Sequence, residues 1–402
     1  MLLEIIIALI IGVSAGTLTG LFPGLHVNLV SVFLLSISPT LLKITSPISL
    51  AVFIVSMSIT HSFLDFIPSI FLGAPDEDSF LSILPGHELL QQGKGYEAFV
   101  LTLFGSLTAL PIILIFIPIF IFFLPPVYNF LQLMIPFLLI FISLYLIFRE
   151  DNFISSLIIF LLAGFLGLAT FQLPIKDPLL PLLTGLFGSS TLIVSLKTSS
   201  EKLTKQFIPK LKNIVLTKKQ FIKSSMSAAM AAPLCSFLPG IGSGHAAVIA
   251  SELTEQDSRS FLFLNGAITT IVTALTFITL YAINKTRSGT AVAVKEILKS
   301  LSLNHLIVII ITIILSSLIA FIIGIKLSKL VAKNINKINY GTLSIITLII
   351  LLIVNILFSN LLGLLVLIIA TSLGIFTILS DSRRINLMGS LLIPTILFYL
   401  TL

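Results

Sequence analysis

Ionisable and strongly polar side chains are scarce in this chain, so the few that interrupt its apolar runs are where chemistry is expected. His61 and Asp65 stand four apart within the apolar run Ile48 to Leu72, a spacing that puts them on one helix face. An ionisable group at that depth is costly unless it meets a partner or water. The pair therefore suits a proton or cation relay, with Asp76, in the acidic stretch Asp76 to Asp78, a third candidate for ion coupling. The bland alternatives are that Asp65 sits near a membrane surface and that the acidic stretch is solvated.

A second group of polar residues follows two Pro-Gly pairs. His26 and Asn28 come just after Pro23 and Gly24, and Gly242, Ser243, Gly244 and His245 come just after Pro239 and Gly240. Further on, Arg287, Ser288 and Thr290 combine a cation with two hydroxyls. Small residues, hydroxyls and a guanidinium are what an anion site needs. All of these residues are candidate substrate contacts. Cys235 and His245 form no catalytic set, because no third orienting group or oxyanion arrangement accompanies them. No spaced metal-ligand set, phosphate-binding P-loop or dinucleotide fingerprint occurs either. The expectation is a protein without enzymatic activity, catalytic residue, metal or cofactor, its only ion being a coupling H+ or Na+.

The elements that would position these groups are broken helices. Proline lacks a backbone donor and glycine tolerates positive φ, so Pro-Gly inside an apolar segment ends or unwinds the helix. Lipid cannot satisfy the freed groups, so irregular backbone at membrane depth belongs where protein buries it or where it lines a polar cavity. A surface loop or simple kink is the alternative for either break alone. The breaks, however, come in matched pairs. Leu21 to Leu25 and Phe237 to Ile241 are related by an offset of 216 residues. A later break follows each: Pro75 lies 52 residues after Pro23, and Gly289 lies 50 after Pro239. Both halves end on small-residue apolar runs, Leu182 to Leu192 and Leu387 to Phe398. Two inverted-topology repeats with broken or re-entrant helices are expected, with new helix N-termini near Leu25 and Ile241 presenting free N–H groups to an anion.

Composition sets the frame for this reading. Of 402 residues, 57% are hydrophobic and 10% are charged, against roughly 25% charged in an ordinary soluble domain. Runs such as Leu306 to Ile325 and Thr342 to Phe358 approach the ~20 residues that cross a hydrocarbon core as helix. The fold class is an all-α polytopic membrane protein with roughly 10–12 membrane segments. Met1 to Phe22 reads as the first span rather than a cleaved leader, since Glu4 stands where a basic region belongs. The net charge of +7 reflects orientation rather than nucleic acid. Residues 197–223 hold eight lysines and one acid, Glu201, and are expected to lie in the cytoplasm of a cell-membrane protein. A second basic loop, Lys326 to Lys337, and the Arg383–Arg384 pair should face the same side. The chain divides into a first membrane repeat, 1–196, a basic cytoplasmic linker, 197–223, and a second membrane repeat, 224–402. Membrane lipids are obligatory neighbours, and a homo-oligomer is compatible with this architecture.

Three stretches together resemble the large permease subunit of tripartite tricarboxylate transporters, the TctA family: Gly16 to Asn28, Gly73 to Ala98 and Leu238 to Ala247. The middle stretch carries most of the likeness, with Gly73, Ala74, Pro75, then Pro85, Gly86, His87, then Gly93 to Ala98. The resemblance spans most of the chain and implies a carboxylate carrier energised by an ion gradient. The segment Lys285 to Thr290 is basic and lacks the proline usual there, and the chain is shorter than most members. Both departures weigh against a citrate-like substrate and against dependence on accessory subunits. Pro239 to Gly244 also resembles, more weakly, a motif of translocases that return polyprenyl phosphate across the bilayer, which makes a lipid phosphate the alternative substrate.

Overall fold

The computed structural model describes residues 2–22, 27–72, 80–131, 133–150, 152–175, 178–198, 204–238, 241–335, 340–380 and 382–401. Among these residues the secondary structure is helical, with no strand. Seven helices are long and apolar enough to cross a membrane, and three shorter apolar helical stretches accompany them. The chain is a multi-pass α-helical membrane protein.

The first half opens with α1 (Leu2–Leu21), α2 (Val27–Leu41), α3 (Pro47–Leu64) and its continuation α4 (Phe66–Leu72). After the short α5 (Ile83–Gln91) comes the long α6 (Gly95–Leu131). Then follow α7 (Ile135–Phe148), α8 (Phe153–Gln172), α9 (Leu179–Leu183), a π-helical segment Thr184–Ser189 and α10 (Ser190–Thr198). Next come α11 (Lys218–Phe237), α12 (Ser243–Leu253), α13 (Ser258–Ile283), α14 (Gly289–Leu298) and α15 (Leu303–Asn334). The chain closes with α16 (Tyr340–Leu379), kinked at Asn360, and α17 (Gly389–Leu400).

Glycine stripes let the central helices approach backbone to backbone, the usual packing device where lipid removes any hydrophobic drive between helices. Gly12, Gly16 and Gly20 of α1 lie against Phe53 and Ser56, then Met57 and Thr60, then His61 and Leu64. The Glu4 carboxylate accepts from Thr45 and Ser46 at the same end. Both series advance together, so α1 and α3 run parallel. In the same way Glu97 pairs with Arg259 at 2.8 Å and Gly266 packs on Thr102, so α6 and α13 run parallel. Gln220 with Asp257 and Ser224 with Ser260 set α11 parallel to α13. Phe71 touches Gly95, while Leu64 and Leu103 share contact with Gly324. Hence α3 runs opposite to α6, and so opposite to α13.

Helices α3 and α13 form the centre, buried along almost their whole length, whereas only about a fifth of the most apolar stretch of α6 and of α16 is buried. One expectation changes in detail. Lys326, Lys329 and Lys333 are not in a loop: they occupy the last turns of α15, whose small and apolar residues remain buried to Ile335. Part of the basic linker packs against the helices. The Gln206 amide donates to the Leu90 carbonyl and accepts from Gly95 N–H, and Phe207 N–H donates to the Gly93 carbonyl. Lys210 of the linker shares a surface cavity with Tyr96, Lys329 and Lys333.

Candidate functional site

The site is built where helices stop. The end of α13 is closed by Asn284 in the left-handed conformation, φ 52°, a backbone that Asn tolerates better than most residues. The turn that follows carries Arg287 and Ser288. Ser288 caps α14, its Oγ accepting from Ala291 N–H at 3.2 Å, and it shares a 2.8 Å hydrogen bond with the Thr290 hydroxyl. Against this helix start lies the start of α2. Thr290 N–H donates to Asn28 Oδ1 at 3.3 Å, and a side chain on Gly289 would meet Asn28. The start of α2 therefore seats on the start of α14.

Arg287 ties in a third break. Its Nε donates to the Ile241 carbonyl at 2.9 Å, just where the chain leaves α11 and enters α12. A carbonyl freed by helix unwinding is thus satisfied by a cation. Around these groups is a cavity of about 70 Å³. Asn28, Arg287, Ser288 and Thr290 line one side, and His61 of α3 reaches it from another. His61 Nδ1 is 3.1 Å from the Thr19 hydroxyl, which fixes its ring against α1.

The structure gathers Asn28, Arg287, Ser288, Thr290 and His61, and it separates others. Ser243 and His245 are fully buried on α12 and do not line this cavity, nor do Gly242 and Gly244. Gly242 is the N-cap residue of α12, its N–H donating to His245 Nδ1 at 3.2 Å. His245 is thus a capping group rather than a lining one. Asp65 is buried where α3 passes into α4, one turn along from His61, and is outside the lining. Pro23, Gly24, His26, Asp76, Pro239 and Gly240 lie outside the described residues.

Four polar lining residues escaped the sequence reading: Ser58 and Ser62 on α3, and Thr273 and Thr276 on α13. Serine and threonine are common in membrane helices, where the hydroxyl can donate to its own helix. Ser62 to Ile59 and Thr276 to Val272 do this. The available signal was periodicity, since Ser58, Ser62, Asp65 and Ser69 recur on one face. Two helix N-termini, a guanidinium and six hydroxyls around one cavity form an environment suited to an anion.

Fold and site together define a polytopic membrane protein with a polar cavity formed at helix breaks. The tripartite tricarboxylate transporter TctA family profile matches residues 6–389, and the chain belongs to that family. It is therefore a membrane transporter protein of a tricarboxylate-transporting class. An uncharacterized protein of Methanocaldococcus jannaschii is 33% identical over 403 residues, covering 98% of each chain. No solved structure matches the chain. The family match gives no support to the lipid-phosphate alternative.

Proposed function

We propose that the chain is a secondary-active carrier of a small carboxylate anion, working by alternating access and coupled to a proton or sodium gradient. The observation that carries this reading is the convergence of the starts of α2 and α14 with Arg287 on one cavity between the halves. Arg287 neutralises the anion, Asn28, Ser288 and Thr290 orient its oxygens, and the helix N-termini supply a positive field. At about 70 Å³ the cavity is well under the ~300 Å³ at the low end for small-molecule sites. It fits a contracted state of a carrier that must open to load. His61 and Asp65 take the coupling role, with Asp76 as a further candidate.

In this reading the halves, 1–196 and 224–402, are inverted repeats joined by the 197–223 linker. Support comes from direction: α1 and α3 run opposite to α11 and α13, their counterparts in the order of elements. The linker faces the cytoplasm by the positive-inside rule, in a cell-membrane protein whose activity does not depend on accessory subunits. Pro23, Gly24, His26, Pro239 and Gly240 remain proposed contributors through the backbone they free, and Gly242 to His245 act as the mirror-related helix start.

Uptake of radiolabelled di- and tricarboxylates into proteoliposomes under an imposed proton or sodium gradient tests the reading. Gradient-driven accumulation, weakened by Arg287→Ala at low substrate concentration, is the expected result. Absence of gradient-driven accumulation of any carboxylate by active-folded protein overturns it.

A further inference from the structure

The cavity does not account for all the buried polarity between α3 and α13. Asn265 is fully buried, and neither its Oδ1 nor its Nδ2 has a hydrogen-bond partner. The Thr269 hydroxyl, one turn along, is also fully buried and unpartnered. Such groups persist in an apolar interior only where something else satisfies them. At ~100° per residue, Asn265, Thr269, Thr273 and Thr276 fall within about 60° of one line along α13. Thr273 and Thr276 face the cavity, so Asn265 and Thr269 extend that wet face deeper into the protein.

Helix α3 carries the matching stripe. Ser58 and Ser62 line the cavity, and Asp65 stands seven residues beyond Ser58, at nearly the same angle about the axis. The Ser58 and Ser62 side of this face is turned away from the one that Gly12, Gly16 and Gly20 of α1 pack against. The register of the two helices follows from two separate contacts. Ser58 and Ser62 share the cavity with Thr273 and Thr276. Leu64 lies at the level of Leu103, whose neighbour in sequence, Thr102, packs on Gly266. With the helices antiparallel, both contacts place Asp65 at the level of Asn265 and Thr269.

We propose that this level of the α3–α13 seam is a site for a dehydrated monovalent cation of sodium size, held by the Asp65 carboxylate, Asn265 Oδ1 and Thr269 Oγ1. Hard oxygen donors of mixed charge suit such an ion. One carboxylate neutralises one charge. The inference rests on the carrier reading for its role, since it assigns the coupling ion, but the site stands on its own geometry. It lies about two helical turns from the Ser58 level of the anion cavity, close enough for the two charges to stabilise each other across a dry interior.

The test is sodium binding by purified full-length protein, measured with radiolabelled sodium and by thermal stabilisation when sodium replaces choline. Wild-type protein binds sodium and its melting temperature rises with sodium concentration. Asn265→Leu and Thr269→Val each weaken sodium binding by about tenfold or more, while Thr269→Ser, which keeps the hydroxyl and guards against a mere folding defect, binds as wild type. Sodium binding unchanged in both Asn265→Leu and Thr269→Val, or no sodium binding by wild type, overturns the site. The two readings separate cleanly. Carboxylate uptake driven by a pH gradient without sodium binding removes this site and leaves the carrier, and sodium binding without any carboxylate accumulation does the reverse.

Discussion

Arg287 stands in the turn between α13 and α14 with one nitrogen committed to the Ile241 carbonyl, and among the described residues it is the only arginine or lysine lining the cavity. Charge-assisted hydrogen bonds to a carboxylate are about twice as strong as neutral ones. Arg287→Ala is expected to raise the Km for uptake by about 10- to 100-fold, and Arg287→Lys to recover only part, since an ammonium lacks the planar fork. Equal Km values for wild type and Arg287→Ala would remove Arg287 from the site. Asn28 acts differently. Its Oδ1 receives Thr290 N–H, so Asn28→Ala loosens the seat of α14. Asn28→Asp keeps that acceptor but adds a negative charge beside the anion. Comparing uptake by the two variants separates the roles: loss in Asn28→Asp with function retained in Asn28→Ala points to electrostatics.

At the scale of elements, two contacts set how far the helices can move. Gly105 and Gly266 bring the backbones of α6 and α13 together, and any side chain there collides with the facing main chain. Gly266→Leu is expected to cost roughly 1–3 kcal/mol or more, read as a lowered melting temperature in detergent, whereas Gly188→Ala, where no close contact opposes a Cβ, should be near neutral. The second contact explains an irregular helix. The π-helical segment Thr184–Ser189 has its Leu186 and Phe187 carbonyls capped by the buried Arg384 guanidinium, which also sits 5.4 Å above the Phe187 ring. The expectation that Arg383 and Arg384 merely mark a basic loop missed this, because a charge in sequence does not reveal what it touches. Arg384→Ala removes the charged donor from both carbonyls and leaves them only the Ser190 and Thr191 hydroxyls, a loss of roughly 1.5–3 kcal/mol for hydrogen bonds from a charged group. The expected outcome is a clearly lowered melting temperature, only partly restored in Arg384→Lys. A melt identical to wild type would remove the capping role.

For the whole molecule, the contacts within each half make α1 and α3 run against α11 and α13. Position 212 in the linker and position 300 between α14 and α15 should then face opposite sides. On a Cys235→Ser background, Ser300→Cys is expected to react with a membrane-impermeant maleimide on intact cells, and Lys212→Cys only after permeabilisation. Labelling of both, or of Lys212→Cys alone, contradicts the inverted arrangement and the cytoplasmic linker.

Much of this was legible before any coordinates, for a physical reason particular to membranes. Lipid tolerates neither charge nor unpaired backbone, so apolar length announces the spans, and Pro-Gly pairs and stray polar residues announce the exceptions. That logic singled out His61, Asp65, Asn28 and Arg287. What it did not decide was which exceptions meet. Ser58, Ser62, Thr273 and Thr276 became lining residues only when α3 and α13 were set side by side, since a hydroxyl in a helix looks the same in sequence whether it serves its own backbone or a cavity. His245 turned inward to cap α12 for the same reason. The seating of Asn28 on Gly289 and Thr290 joins residues some 260 positions apart, a distance no local pattern spans. Sequence fixed the residues that need a polar partner; packing of the two halves chose the partner.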